Sequence, residues 1–150
     1  MKLFLINGDG LLKGCAPPVS RKLPPSAVNG DLEELKSKGV RIVALTSGNS
    51  KGLKKYMEHL GIDSLYQGIP DISEFYTKLK QEHHVNDSEV AFLGGERGDV
   101  LIMDSVIFSS VPHDTELDVK AKTYYVACGK GEDSLSEVAR VLLAAKTQGE

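Results

Sequence analysis

The strongest constraint on this chain is a rhythm: short apolar runs alternate with amphipathic stretches, the pattern that a parallel sheet with helical crossovers requires. The runs are KLFLI (2–6), GVRIVALTS (39–47), SLYQG (64–68), EVAFLGG (89–95), SVIFSSV (105–111) and TYYVAC (123–128). Each predicts a short buried strand. Between them, NGDLEELKSKG (29–39) and NSKGLKKYMEHLG (49–61) predict helices that end on Gly39 and Gly61, because glycine tolerates the left-handed turn that stops a helix. In the second of these, Leu53, Tyr56, Met57 and Leu60 fall at helical spacing and form one core-facing stripe. Residues 71–83 predict a third helix with Ile72, Phe75, Tyr76 and Leu79 inward, and SLSEVARVLLAAK (134–146) a terminal one.

The segment 13–28 breaks the rhythm. It carries four prolines, Pro17, Pro18, Pro24 and Pro25, and a basic pair, Arg21–Lys22. It reads as a loop or stiff flap, since proline removes backbone donors. No repeat or low-complexity linker divides the 150 residues, so one domain over 1–150 is expected.

Composition removes several function classes. Charged residues are 26% and the net charge is −3, which gives no basic patch for nucleic acid or an anionic membrane. No apolar run approaches a membrane span, and MKLFLI is too short for a signal peptide before it meets Asn7 and Asp9. Cys15 and Cys128 fit no C-x-x-C pattern, so two reduced thiols in a cytoplasmic protein are expected. With no Trp, a base-stacking surface is not expected. His83, His84 and His113 have no zinc-ligand spacing and read as surface residues. Tyr124 and Tyr125 read as core and edge packing.

In open parallel sheets, ligands bind outside the carboxyl ends of the strands. Three runs end in polar, glycine-bearing clusters: Asn7-Gly8-Asp9-Gly10, Thr46-Ser47-Gly48-Asn49, and Gly94-Gly95-Glu96-Arg97-Gly98-Asp99. Each is weak evidence alone; together they predict one crevice.

These passages, with LGIDSLYQG and the glycine-bearing turn CGKGEDSLSEV, resemble the haloacid dehalogenase (HAD) superfamily. Within it the chain is most similar to the capless phosphatases of the 3-deoxy-D-manno-octulosonate 8-phosphate type. The resemblance covers nearly the whole chain. It implies a three-layer α/β/α, Rossmann-like, mostly parallel sheet with no cap domain. It also implies Mg²⁺-dependent hydrolysis of an acidic sugar phosphate, a homotetramer, and a flap where the proline-rich segment stands. In the family, the first strand ends D-x-D-G. The first Asp attacks phosphorus, the second is the acid/base, a Thr or Ser after strand two holds a phosphoryl oxygen, a Lys neutralises charge, and Asp residues after strand four bind Mg²⁺.

Carried over by position, the resemblance places Asn7 at the nucleophile, where a neutral amide is a far poorer nucleophile than a carboxylate. It places Asp9 at the acid/base, and Ser47, with Thr46 and Gly48 beside it, at the phosphate. Ile72 stands where the family has its lysine; Lys51, Lys78 and Lys80 lie near but off the motif position. Gly95 replaces one Mg²⁺ aspartate, leaving Glu96, Asp99 and the Asp9 carbonyl. Glu132 and Ser136 replace polar and basic residues of the family's glycine-rich turn. Phosphoryl transfer depends on positioning and on charge neutralisation, so several such changes predict a catalytically degenerate homologue. Such a protein would act as a binding or oligomerisation module with a small anionic ligand, as the resemblance to the degenerate C-terminal domains of animal sialic-acid-activating enzymes suggests. The rival reading is a weak Mg²⁺-dependent phosphatase with Asp9 as base and water as nucleophile.

Plainer readings stand beside these. Asn7-Gly8 makes a tight turn, or deamidates to regain a carboxylate. Ser47 caps the helix beginning near Asn49 or holds a phosphoryl oxygen. Glu96, Arg97 and Asp99 form a solvated loop with an Arg–carboxylate pair or ligate a metal.

Overall fold

In a computed structural model, the described residues are 1–11, 27–49, 51–62 and 64–148. Six strands form one sheet: β1 (Leu3–Asn7), β2 (Arg41–Leu45), β3 (Ser64–Tyr66), β4 (Val90–Leu93), β5 (Phe108–Val111) and β6 (Tyr125–Val126). Their order is β3-β2-β1-β4-β5-β6, and every pairing is parallel. The chain builds outward from β1 to one edge, then returns to β4 and builds to the other. The switch therefore falls between β1 and β4, where a doubly wound sheet opens a crevice.

The helices are α1 (Gly8–Leu11), α2 (Ala27–Ser37), α3 (Lys51–Leu60), α4 (Ile72–His83), α5 (Val100–Ser105), α6 (Leu117–Lys120) and α7 (Glu132–Gln148). Two-residue periodicity sorts the strand side chains between two layers. Phe4, Ile6, Ile42, Ala44, Ala91 and Leu93 face α2, α3 and α7, packing with Leu32, Leu35, Met57, Leu60, Leu135 and Val138. Leu3, Leu5, Val43, Leu45, Val90 and Phe92 face the other layer, with Tyr76, Leu79, Ile102, Met103 and Val119. Burial on both faces explains why these strands read as continuous apolar runs rather than alternating ones. The result is a three-layer α/β/α fold, and no cap is inserted among the described residues.

Helix ends follow the sequence closely. Gly39 (φ 87°) and Gly61 (φ 95°) take the left-handed turns expected of them. Asp71 caps α4, its side chain accepting the Glu74 amide. The Leu53–Leu60 stripe is core, with Tyr56 half-buried at its edge.

Other boundaries differ from expectation. Helix α2 begins at Ala27, not near Asn29, because Val28 is buried and extends the core-facing stripe. Asn29 instead donates to the His59 carbonyl of α3 at 3.2 Å. The expected flap therefore stops short of residues 27–28, and the rest of it lies outside the described residues. The fifth strand starts at Phe108 rather than Ser105, since Ile102 and Met103 bury as part of helix α5. Tyr124 is 78% exposed and is not core; it meets Phe108 edge-on at 5.5 Å, while Tyr125 packs at the rim of the core.

Candidate functional site

The three polar clusters do converge. Their strands are neighbours in register, with Asn7 opposite Leu45 and Ile6 opposite Leu93. The residue after each strand end therefore enters the same space. A crevice of about 520 Å³ opens there, lined by Asp9 and Ser47 on one side, by Ile69, Pro70, Asp71 and Ile72 at the start of α4, and by Gly95 to Asp99, Glu116 and Val119.

At its inner end, Asn7 is 1% exposed and so is Asp99. The Asn7 Nδ2 donates to both Asp99 oxygens at 2.9 Å and to Glu96 Oε1 at 3.1 Å, while its Oδ1 accepts the Asp9 amide at 3.0 Å. Asp99 Oδ2 also accepts the amides of Gly95 and Glu96, each at 2.9 Å. Asp99 thus sits in a nest of donors rather than in a solvated loop, correcting that reading. Burial pushes its carboxyl above the ordinary carboxylate value; the Glu96, Asn7 and Gly95 donors oppose this, and the Glu96 charge adds to it.

Asp9 faces the other way. Thr46 Oγ1 donates to its Oδ1 at 2.5 Å, and the Ser47 hydroxyl and amide donate to its Oδ2 at 2.7 and 2.9 Å. Thr46 Oγ1 in turn accepts the Gly48 amide at 3.2 Å. Partial burial works against ionisation of Asp9, but the Ser47 and Thr46 donors outweigh it and hold its carboxyl below the usual value. The Ser47 hydroxyl donates to Asp9 rather than capping α3, which begins at Lys51.

Arg97 pairs with neither Glu96 nor Asp99. Its Nη1 donates to Asp118, in the first turn of α6, and its Nη2 to Glu116, the residue before that helix. This partnership was missed because no motif covers PHDTELD (112–118). The cue was there: that stretch follows β5 at the same end of the sheet. Of the turn residues, Ser136 donates to Asp31 at 2.7 Å, which ties α7 to α2. Ile72, at the first position of α4, presents an apolar side to the crevice where a cation was the family's expectation.

Close packing supports the arrangement. A Cβ at Gly94 would lie 2.6 Å from Phe92 Cε2 and 2.7 Å from Asp99 Oδ2. Gly94→Ala is therefore expected to cost about 1–3 kcal/mol, the range for overpacking a filled site, and to displace the Asp99 carboxylate. Urea unfolding measures the first, and the amide shifts of Gly95 and Glu96 report the second.

No family model matches the chain, and no curated protein matches it significantly in sequence. Its fold is nevertheless shared with solved structures. A 3-deoxy-D-manno-octulosonate 8-phosphate phosphatase from Yersinia pestis matches with a TM-score of 0.83 and 24% identity, over 98% of this chain and 83% of that one. The same enzyme from Moraxella catarrhalis, solved with magnesium, phosphate and KDO, matches at 0.79 and 20%, over 97% and 87%. A cobalt-bound deoxy-D-mannose-octulosonate 8-phosphate phosphatase from Haemophilus influenzae matches at 0.81 and 18%, over 98% and 90%. At these identities the likeness is one of fold: that of the capless HAD-type phosphatases.

Proposed function

We propose that this phosphatase-fold chain keeps its crevice as a binding site for a phosphorylated sugar acid and does not form an aspartyl-phosphate. The carrying observation is the Asn7 carboxamide, held between Asp99 and Glu96 by three hydrogen bonds. A neutral amide whose NH₂ faces two carboxylates offers phosphorus no nucleophile. The ligand class comes from the solved neighbours, one of which holds phosphate and KDO.

Magnesium does not fit the residues as they stand. Mg²⁺ takes near-octahedral oxygen ligands, carboxylates among them. The Asp99 oxygens already accept from Asn7, Gly95 and Glu96, and the Asp9 carboxylate is turned to Thr46 and Ser47. Among the described residues, no group of three or more His, Cys, Asp or Glu is placed to hold a metal.

A second reading is favoured by the solved phosphatases with bound magnesium or cobalt: slow Mg²⁺-dependent hydrolysis, with Asp9 drawing a proton from water and Glu96 and Asp99 left to hold a metal. The fold likeness weighs toward this reading, and the residue chemistry toward the first. A base already accepting three hydrogen bonds and titrating low is poorly matched to neutral pH.

Purified protein with Mg²⁺ is expected to turn over neither a general phosphatase substrate nor 3-deoxy-D-manno-octulosonate 8-phosphate. Turnover that disappears in Asp9→Ala would establish the second reading instead. Association into a homo-oligomer is part of the proposal; it is supported by the apolar surface where Ile107 and Tyr124 stand exposed beside Phe108, and sedimentation velocity tests it. A cytoplasmic setting is part of the proposal, supported by a sequence with only two cysteines and no C-x-x-C pattern. No helix among the described residues is long and apolar enough to cross a membrane.

A further inference from the structure

We infer that Arg97 recognises the oxyanion of the ligand, and that Glu116 and Asp118 hold its guanidinium parked until the ligand arrives. The inference rests on the crevice being a ligand site. Among the described residues lining the crevice, the carboxylates are Asp9, Asp71, Glu96, Asp99 and Glu116, and the single cation is Arg97. For a phosphate or carboxylate entering that space, Arg97 is the one positively charged side chain among the described lining residues. The start of α4 offers no substitute, because Ile72 is apolar.

The geometry suits an exchange. Arg97 lies on the crevice wall with Glu116, while Asp118, its other partner, lies outside the lining. Two carboxylates on one guanidinium leave an excess of negative charge, so one can be surrendered to a ligand without leaving Arg97 unpaired. The side chains of all three are more than half exposed, and exposed ion pairs contribute little, so opening this one is inexpensive. The guanidinium carries five donors in a planar fork, which suits two-point recognition of a phosphate or carboxylate better than an ammonium would.

Calorimetric titration of the whole chain tests this, with three probes: inorganic phosphate, 3-deoxy-D-manno-octulosonate, and its 8-phosphate. Arg97→Ala should weaken binding of the 8-phosphate about tenfold or more, the loss expected for a charge-assisted pair. Arg97→Lys should recover part of it. Glu116→Gln/Asp118→Asn, which frees the guanidinium, should tighten binding about threefold at low salt. Whichever simple probe loses affinity in Arg97→Ala identifies the oxyanion that Arg97 holds. If the chain binds the 8-phosphate and Arg97→Ala binds it equally well, the inference fails while the site reading stands. If Glu116→Gln/Asp118→Asn binds no tighter, and only the melting temperature moves, the contact is a structural tie between the β4 turn and α6. If the unaltered chain binds none of the probes, the inference and the site reading fail together.

Discussion

Asn7→Asp should unfold about 3 kcal/mol more easily than the unaltered chain when divalent cations are absent, a drop in melting temperature of roughly 6–12 °C for a domain of this size. The substitution keeps the shape of the side chain, since Asp and Asn are nearly isosteric, and exchanges an NH₂ donor for a charged oxygen. That charge arrives at a position 1% exposed, facing Asp99, itself 1% exposed, and Glu96. Two effects add. The amide that donated to both carboxylates is lost, and a third carboxylate is pressed against them where burial already holds the Asp99 carboxyl high.

Millimolar Mg²⁺ should then reverse most of the loss in Asn7→Asp, because the three carboxylates would form a hard-oxygen site. Ligand at a hundred times its dissociation constant stabilises by about 2.7 kcal/mol. The unaltered chain should melt at the same temperature with Mg²⁺ or with a chelator. Differential scanning calorimetry of both proteins in both buffers decides the matter. Equal stability of the two proteins in chelator would mean that the Asn7 amide neutralises nothing. A Mg²⁺ shift in the unaltered chain as large as in Asn7→Asp would show a working metal site, and would favour the hydrolytic reading.

The fold was legible because the strands are buried on both faces and the helices on one, and burial writes itself into period and run length. KLFLI and VAFL could hardly be anything but central strands, and Gly39 and Gly61 announced the helix ends. Shorter elements escaped. Residues 100–105 are apolar enough to read on toward β5, yet they form a short helix whose Ile102 and Met103 are buried in the same core cluster as Phe92. The location of the site was legible for a topological reason: parallel neighbours bring their carboxyl ends together. Partner choice was not. Asn7 with Asp99, Ser47 with Asp9, and Arg97 with Asp118 pair residues 92, 38 and 21 positions apart. Each depends on which way a side chain leaves the end of its strand, and local sequence does not encode that.

Asp99 offers the sharpest test of how the crevice is held together. Asp99→Ala leaves the Gly95 and Glu96 backbone amides without their acceptor and the Asn7 amide with Glu96 alone, and should cost about 3–5 kcal/mol, the range for breaking a buried charged cluster by removing one partner. Asp99→Asn keeps one oxygen for the two backbone amides and should cost less. The two proteins also differ in pH dependence. The folded Asp99 carboxyl titrates above the ordinary carboxylate value, chiefly through burial, so between the unfolded and folded values the folded chain binds the extra proton. Stability from this group is therefore full below the unfolded value and declines as pH rises through the folded one. Asp9 has the opposite sign: its lowered value stabilises the fold at higher pH, and that contribution is lost as pH falls. Relative to Asp99→Asn, the unaltered chain should be most stable in acid and should give up that advantage as pH rises from about 4. Paired urea titrations from pH 3.5 to pH 7 measure the difference directly, since the Asp9 contribution is common to both and cancels. An advantage that instead grew with pH would mean that the donors of Asn7, Gly95 and Glu96 overcome burial, and that the clasp around Asp99 is stronger than its desolvation.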